Sequence, residues 1–345
     1  MPKSAAVSTA DARTDAICDW LTGLFPGRPF SLAPASADAS FRRYFRARFA
    51  DGSPSRIVMD APPEHEDCRP FIDVAGRLAA AGLHAPRVLA TDLDRGFLLL
   101  TDLGTETYLS AMQTADASTI DTLFRDAIAA LVRWQAASQP GLLPAYDAPL
   151  LRRELDLFPV WFLDRHRGLA LDAAETAELE RVFAALIESA LAQPKVFVHR
   201  DFMPRNLMVS SPNPGILDFQ DAVEGPISYD VISLFRDAFI SWDEERTLDW
   251  TIRYWEAARQ AGLPVRADFA DFWREAEWMG LQRHLKVLGI FCRLNYRDGK
   301  SGYLADLPRF LGYARLVAGR YSALAPLLRL LDRVENRRAE VGYTF

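Results

Sequence analysis

Lysine is almost missing from this chain. Of its 40 basic residues only Lys3, Lys195, Lys286 and Lys300 are lysines, so any cation needed between the first two must be an arginine. Cysteine is equally sparse. Cys18, Cys68 and Cys292 lie far apart and make no Cys-x-x-Cys spacing, which excludes a zinc ribbon or dithiol redox centre and leaves reduced thiols. No apolar run reaches the roughly 18 residues that a membrane-spanning helix needs, so no membrane association is expected. The opening MPKSAAVSTADARTDA has no apolar core of a signal peptide; it reads as a frayed terminus of a cytoplasmic protein. Positive charge is not in excess either, and a net charge of −6 argues against a nucleic-acid partner. What is present is an ordinary globular composition, 50% hydrophobic and 25% charged, in a 345-residue chain long enough for two lobes.

The chemistry concentrates in VFVHRDFMPRNLMVSSPNPGILDFQD, residues 196–221. Val196-Phe197-Val198 has the length and composition of a buried strand. Leu207-Met208-Val209 and Gly215-Ile216-Leu217 flank a Ser-Pro-Asn-Pro-Gly turn and predict a hairpin. The loop between carries Asp201 and Asn206, and Asp218 ends the second arm. Mg²⁺ takes oxygen ligands, typically one or two carboxylates with substrate phosphates completing the set. Phosphoryl transfer needs in-line positioning, charge neutralisation and an acceptor for one proton. Asp201 suits the proton, and Asn206 and Asp218 suit the metal.

Around this stretch the periodicity predicts a helix from Asp11 to Phe25, strands at Phe41–Phe49 and Ile57–Met59, and a helix over Glu64–Ala81. Strands at Val88–Ala90 and Phe97–Leu100 follow, and Thr101-Asp102-Leu103-Gly104 breaks the pattern. Helices are expected over 119–137, 173–192, 231–239, 244–261, 269–294 and 307–331, with a Pro- and aromatic-rich insert at 140–170. The expectation is an α+β chain: a small sheet-plus-helix lobe at residues 1–102 and a larger, mainly helical lobe at 103–345. Asp230, after Gly225-Pro226, reads as a helix cap or a partner for loop backbone.

His199-Arg200-Asp201 through Asn206, then Asp218-Phe219-Gln220, resembles the H-x-D-x-x-x-x-N loop and D-F-G-like segment of the protein-kinase fold. The chain as a whole resembles the aminoglycoside phosphotransferase and choline kinase-like branch of that two-lobed fold. No Ala-Pro-Glu segment follows Asp218, which argues against a protein kinase. Residues 199–239 and 282–310 further resemble bacterial kinases that phosphorylate the 1-hydroxyl of N-acetylmuramate and N-acetylglucosamine in peptidoglycan recycling. The resemblance implies ATP, Mg²⁺ and a small amino-sugar substrate; the rivals are a kinase for an aminoglycoside or choline-like alcohol, and a non-catalytic scaffold.

It also implies that the small-residue run Ala35–Ser40 covers the nucleotide phosphates, with Ser40 among the contacts, and that the backbone of Thr101, Asp102 and Leu103 faces the adenine. The strand lysine of protein kinases is replaced by Met59. By period-two alternation Arg43 shares a face with Phe41, Phe45 and Phe49, and this apolar face is expected to look into the cleft. Arg43 is therefore the first choice for the missing cation and Arg46 the second, against the alternative that these arginines are solvated strand residues. Acceptor candidates are Arg205, Asp221, Glu224, Arg283 and His284. A lactyl carboxylate would favour an arginine fork, either Arg205 or Arg283.

Overall fold

The computed structural model describes residues 9–37 and 41–336; Ser40 and the Ala-rich opening lie outside them. The chain divides into two compact units, Met1–Thr105 with Met208–Gln220, and Glu106–Leu207 with Asp221–Phe345. The expectation drew a single cut at 102/103. Contacts instead carry the first unit to Thr105 and add Met208–Gln220, the greater part of the hairpin, to it.

In the first unit, α1 (Thr9–Leu24) precedes β1 (Phe30–Ala37), β2 (Arg43–Phe49), β3 (Arg56–Asp60), α2 (Arg69–Ala80), β4 (Val88–Asp92) and β5 (Phe97–Thr101). The strands form one sheet in the order β1-β2-β3-β5-β4, antiparallel throughout. β1 was not expected. It begins at Phe30 and extends through Ala37, so Ala35, Ser36 and Ala37 close a strand rather than open a loop. Phe41 precedes the paired residues of β2 and is exposed. α2 starts at Arg69 rather than Glu64, because Pro70 lacks an N–H and would clash with the carbonyl four residues back, so it fits only in a first turn. Its buried face is Phe71, Val74, Ala75 and Leu78, a spacing that fits one helical stripe.

Ile17 and Leu21 of α1 pack on Phe45, Ala47, Val58, Phe97 and Leu99. The apolar face of β2, the one that carries Arg43, is thus closed by α1 within this unit. The expectation that it looks into a nucleotide cleft is corrected. α1 could not be assigned to that face from sequence, because its amphipathic stripe fits either side of a sheet.

The second unit opens with α3 (Tyr108–Met112), α4 (Ala117–Ala136) and α5 (Ala148–Leu155). The aromatic insert then forms a π-helix, Phe158–His166, whose Phe158, Phe162 and Leu163 are buried. α6 (Ala173–Leu191) is started by a full capping box, Asp172 with Glu175. β6 (Lys195–Val198) leads to the loop; β7 (Leu207–Met208) and β8 (Gly215–Ile216) make the hairpin, most of which belongs to the first unit; and β9 (Val223–Pro226), back in the second unit, pairs antiparallel with β6. α7 (Tyr229–Phe235), α8 (Glu244–Gln260), α9 (Phe269–Asp298), α10 (Leu307–Arg320) and α11 (Ala325–Val334) complete it. α7 stops at Phe235, short of the expected Phe239, while α9 runs past Leu294 to Asp298 and ends on Gly299 in the left-handed region. The unit's core gathers Leu155, Phe158, Phe183, Leu285, Phe291 and Phe310 with their neighbours from α5, the π-helix, α6, α9 and α10.

Candidate active site

β6 is buried along Val196, Phe197 and Val198, with Phe197 against Trp134 of α4 at 4.9 Å. The loop that leaves it is fastened from below. Asp230, at the start of α7 and fully buried, accepts the His199 N–H at 2.7 Å and the Arg200 N–H at 3.0 Å. Of its two expected readings, cap or loop partner, the structure takes the second. Burial pushes the Asp230 carboxyl up to about 7 against the two N–H bonds that favour its charged form. Arg200 occupies φ 75°, a conformation uncommon outside glycine, so these bonds hold a backbone shape that would otherwise relax.

The loop then closes on itself. The His199 ring Nδ1 accepts the Asp201 N–H at 3.2 Å, and the Asn206 N–H donates to the Met203 carbonyl at 2.8 Å. The Asn206 side-chain amide donates to the Asp201 carbonyl at 3.0 Å. With its nitrogen turned to that carbonyl, Asn206 directs its amide oxygen the other way. Asp201 and Asn206 are therefore brought together on one loop of the second unit.

Glu154 of α5 anchors Arg200 from the side. It is buried, and its oxygens receive the guanidinium of Arg200 at 2.5 Å, the ammonium of Lys286 at 2.8 Å, Gln282 Nε2 at 3.1 Å and the Tyr146 hydroxyl. Burial alone would raise this carboxyl, but the charges of Lys286 and Arg200 hold it at about 2. Sequence reading missed Glu154. The available signal was a lone glutamate in the Arg-rich α5, directly after an arginine pair.

Asp218 lies in the first unit, at φ 61°, on the strand end after β8; its carboxylate accepts from Gln220 Nε2 at 3.0 Å. The hairpin is tied into that unit by the Ile216 N–H to the His84 carbonyl at 2.7 Å and by Phe219 against Phe71 of α2 at 4.7 Å. Asn206 and Asp218 supply hard oxygen donors, and no group of three or more His, Cys, Asp or Glu among the described residues makes a metal cage. Each is a donor of the kind Mg²⁺ takes alongside waters and phosphate oxygens, Asn206 in the second unit and Asp218 in the first.

The other nucleotide candidates among the described residues lie in the first unit. Arg43 donates to Asp60 Oδ2 at 2.8 Å, and Arg13 of α1 donates to Asp60 Oδ1 at 2.9 Å, so two guanidinia neutralise one fully buried carboxylate. Arg43 thereby serves the sheet–helix junction. Arg46 forks onto Asp102 at 2.6 and 3.0 Å and reaches the Gly104 carbonyl, while the Ser55 hydroxyl and the Gly104 N–H complete Asp102. Thr101 spends both its N–H and its hydroxyl on Arg87, at 3.0 and 2.9 Å. Leu103 follows between these pairings.

The acceptor candidates separate into two groups. Glu224, on β9, accepts the Gly141 N–H at 2.8 Å and pairs its backbone with Tyr146, and exposed Asp221 lies just before β9. Arg205 belongs to the loop itself and Arg283 reaches it, while His284 packs on α10. The Arg205 guanidinium lies 5.1 Å from the Phe239 ring, and Arg283 Nη2 stands 3.9 Å from Met203 Sδ. His284 is fully buried and stacked on Tyr313 at 4.8 Å; burial, then the charges of Arg283 and Arg236, hold it well below the usual imidazole range.

A small antiparallel sheet with two helices, and a helical unit whose loop bears Asp201 and Asn206, define a kinase-type phosphotransferase fold. Solved structures of that fold align with the chain: a choline/ethanolamine kinase family protein from Mesorhizobium loti at TM-score 0.60 and 13% identity, covering 93% of this chain and 99% of that one. An ADP-bound aminoglycoside phosphotransferase aligns at TM-score 0.58 and 13% identity, covering 86% and 97%. The chain belongs to the phosphotransferase enzyme family, whose pattern it matches over residues 31–269. It is 52% identical to the N-acetylmuramate/N-acetylglucosamine kinase of Pseudomonas aeruginosa over 93% of its own length and 96% of the relative's. It is 50% identical to the enzyme of that name from Neisseria meningitidis, covering 95% and 98%.

Proposed function

We propose that this protein is a cytoplasmic, ATP- and Mg²⁺-dependent kinase that transfers the γ-phosphoryl group to the anomeric 1-hydroxyl of N-acetylmuramate or N-acetylglucosamine, serving peptidoglycan recycling. The observation that supports it most is half-identity to the kinases of that name across nearly the whole chain, in a chain that keeps Asp201 and Asn206 on one backbone-fastened loop. Asp201 is the base. The sugar oxygen forms a bond to the γ-phosphorus as the bond to the β-bridging oxygen breaks, ADP leaves with that electron pair, and the hydroxyl proton passes to the Asp201 carboxylate. Asn206 and Asp218 are the residues that would bind Mg²⁺, and the ion would supply neutralisation of charge on the transferring phosphoryl group. Asp230 and Glu154 hold the loop so that Asp201 needs no reorganisation during transfer.

The test is to incubate protein, Mg-ATP and the two sugars, and to identify the phosphorylated position by NMR. A 1-phosphate is the expected product, and the methyl glycosides, blocked at C1, remain untouched. Phosphorylation of a methyl glycoside would move the reaction to another hydroxyl and overturn the anomeric assignment.

A further inference from the structure

Just past α7 stands an aspartate that the reaction described so far does not use. Asp237 is fully buried; its Oδ1 accepts the Ala238 N–H at 2.5 Å, and its Oδ2 has no partner. Arg283 of α9 is 3% exposed. Its Nη1 has no partner either, and its Nη2 reaches only the weak acceptor Met203 Sδ. Arg283 is near enough to Asp237 to stabilise its charged form, yet the two form no ion pair within 4.0 Å among the described residues. Arg309 of α10 adds a second positive charge beside Asp237, and its own Nε is unpartnered.

A buried carboxylate oxygen and a buried guanidinium nitrogen, each left without a bond, are an expensive arrangement. Leaving one charged group unsatisfied costs more than a neutral bond gains, and opposite charges this close would ordinarily join. Burial accordingly lifts the Asp237 carboxyl to about 6 against the pull of Arg283. Folding tolerates such a pair when a ligand completes it. The missing pieces are a donor for the carboxylate and an acceptor for the guanidinium, and a hydroxyl or vicinal hydroxyl and acetamide supply both. The position suits the acceptor, because Met203 belongs to the same loop as Asp201 and Asn206.

We infer that Asp237 and Arg283 form a polar clamp for the acceptor sugar, Asp237 taking a hydrogen bond from a sugar hydroxyl and Arg283 giving one to a neighbouring oxygen. This rests on the amino-sugar reading for the acceptor's name, but not for the clamp itself, which applies to any hydroxylated acceptor. The experiment compares wild type with Asp237→Asn, which keeps size and removes charge, using N-acetylglucosamine and its singly deoxygenated or fluorinated analogues. The sugar KM should rise about 10- to 100-fold, the range for one charge-assisted hydrogen bond, while the ATP KM stays within about two-fold. One deoxy analogue should be handled equally by both proteins, since the partner of Asp237 is then already gone.

An unchanged sugar KM, or equal rises in both KM values, would overturn the clamp and leave Asp237 a structural residue. So would penalties that simply multiply for every analogue. Should Asp237→Asn not accumulate as folded protein, Arg283→Gln reads the same clamp from its other side, and an unchanged sugar KM there has the same force. If wild type phosphorylates neither sugar, the proposed function fails alone. The comparison is then repeated with whichever alcohol in an acceptor panel is turned over.

Discussion

Arg200 is held at φ 75° by one bond to Asp230 and one to Glu154, with the His199 N–H bonded to the same Asp230, and this fastening sets what a single substitution can reveal. Because the loop backbone is fixed independently of the Asp201 side chain, Asp201→Asn should keep the loop's shape and remove only proton acceptance. Turnover should fall about 10²- to 10⁴-fold with nucleotide affinity nearly unchanged. Steady-state rates beside fluorescent-nucleotide binding check this, and near-wild-type turnover would remove Asp201 as the base. Arg43 teaches the converse. Its periodicity marked the correct face of β2 but not what covers that face, where α1 closes the sheet and Arg43 and Arg13 together neutralise the buried Asp60.

At the scale of elements, the turn between β4 and β5 offers a sharp contrast. Gly96 adopts φ 73°, and a Cβ there would lie 1.9 Å from the Ala61 carbonyl oxygen, whose own N–H donates to the Gly96 carbonyl at 2.9 Å. Gly82, after α2, has a similar φ of 69° with open space around it. Gly82→Ala should cost about 1–2 kcal/mol, the left-handed penalty alone, and Gly96→Ala substantially more because backbone must shift. Urea denaturation of the two variants measures the difference; equal losses would mean the β3 end yields freely. The elements that sequence predicted well were those with one dominant signal: α2's stripe, the hairpin's Pro-Gly turn, and the apolar β6. β1 escaped because Pro34, Ala35 and Ser36 are poor strand formers and register slips between Pro34 and Ser36, so only pairing with β2 makes it a strand. β9 escaped because Gly225-Pro226 reads as a turn, whereas a proline is tolerated at the end of an edge strand. The chemistry-bearing loop was legible because its residues are contiguous. Glu154 and Asp237 were not, since the partners of the one and the nearby charges of the other, Arg283 and Arg309, lie far along the chain.

For the molecule as a whole, the buried carboxylates oppose one another in their effect on stability. Glu154 is held at about 2 in the folded protein against an ordinary 4.5. Its contribution is complete above pH ~4.5 and is lost as pH falls toward ~2. Asp230 is raised to about 7 from 3.8, so folding takes up a proton between those values. Its contribution is greatest below pH ~3.8 and diminishes as pH rises to ~7, with Asp237, raised to about 6, acting in the same direction. Denaturant unfolding across a pH series separates the two effects. The stability advantage of wild type over Glu154→Gln should grow as pH climbs from ~2 to ~4.5 and then level, reflecting two cations, Arg200 and Lys286, that only the carboxylate neutralises. The advantage over Asp230→Asn should instead shrink from pH ~4 to ~7. At every pH some advantage should persist, because an amide has one acceptor oxygen for the His199 and Arg200 N–H groups where the carboxylate has two. If the Asp230→Asn difference widens toward neutral pH, the two N–H bonds outweigh burial, and the carboxylate that fastens the loop is already ionised in mild acid.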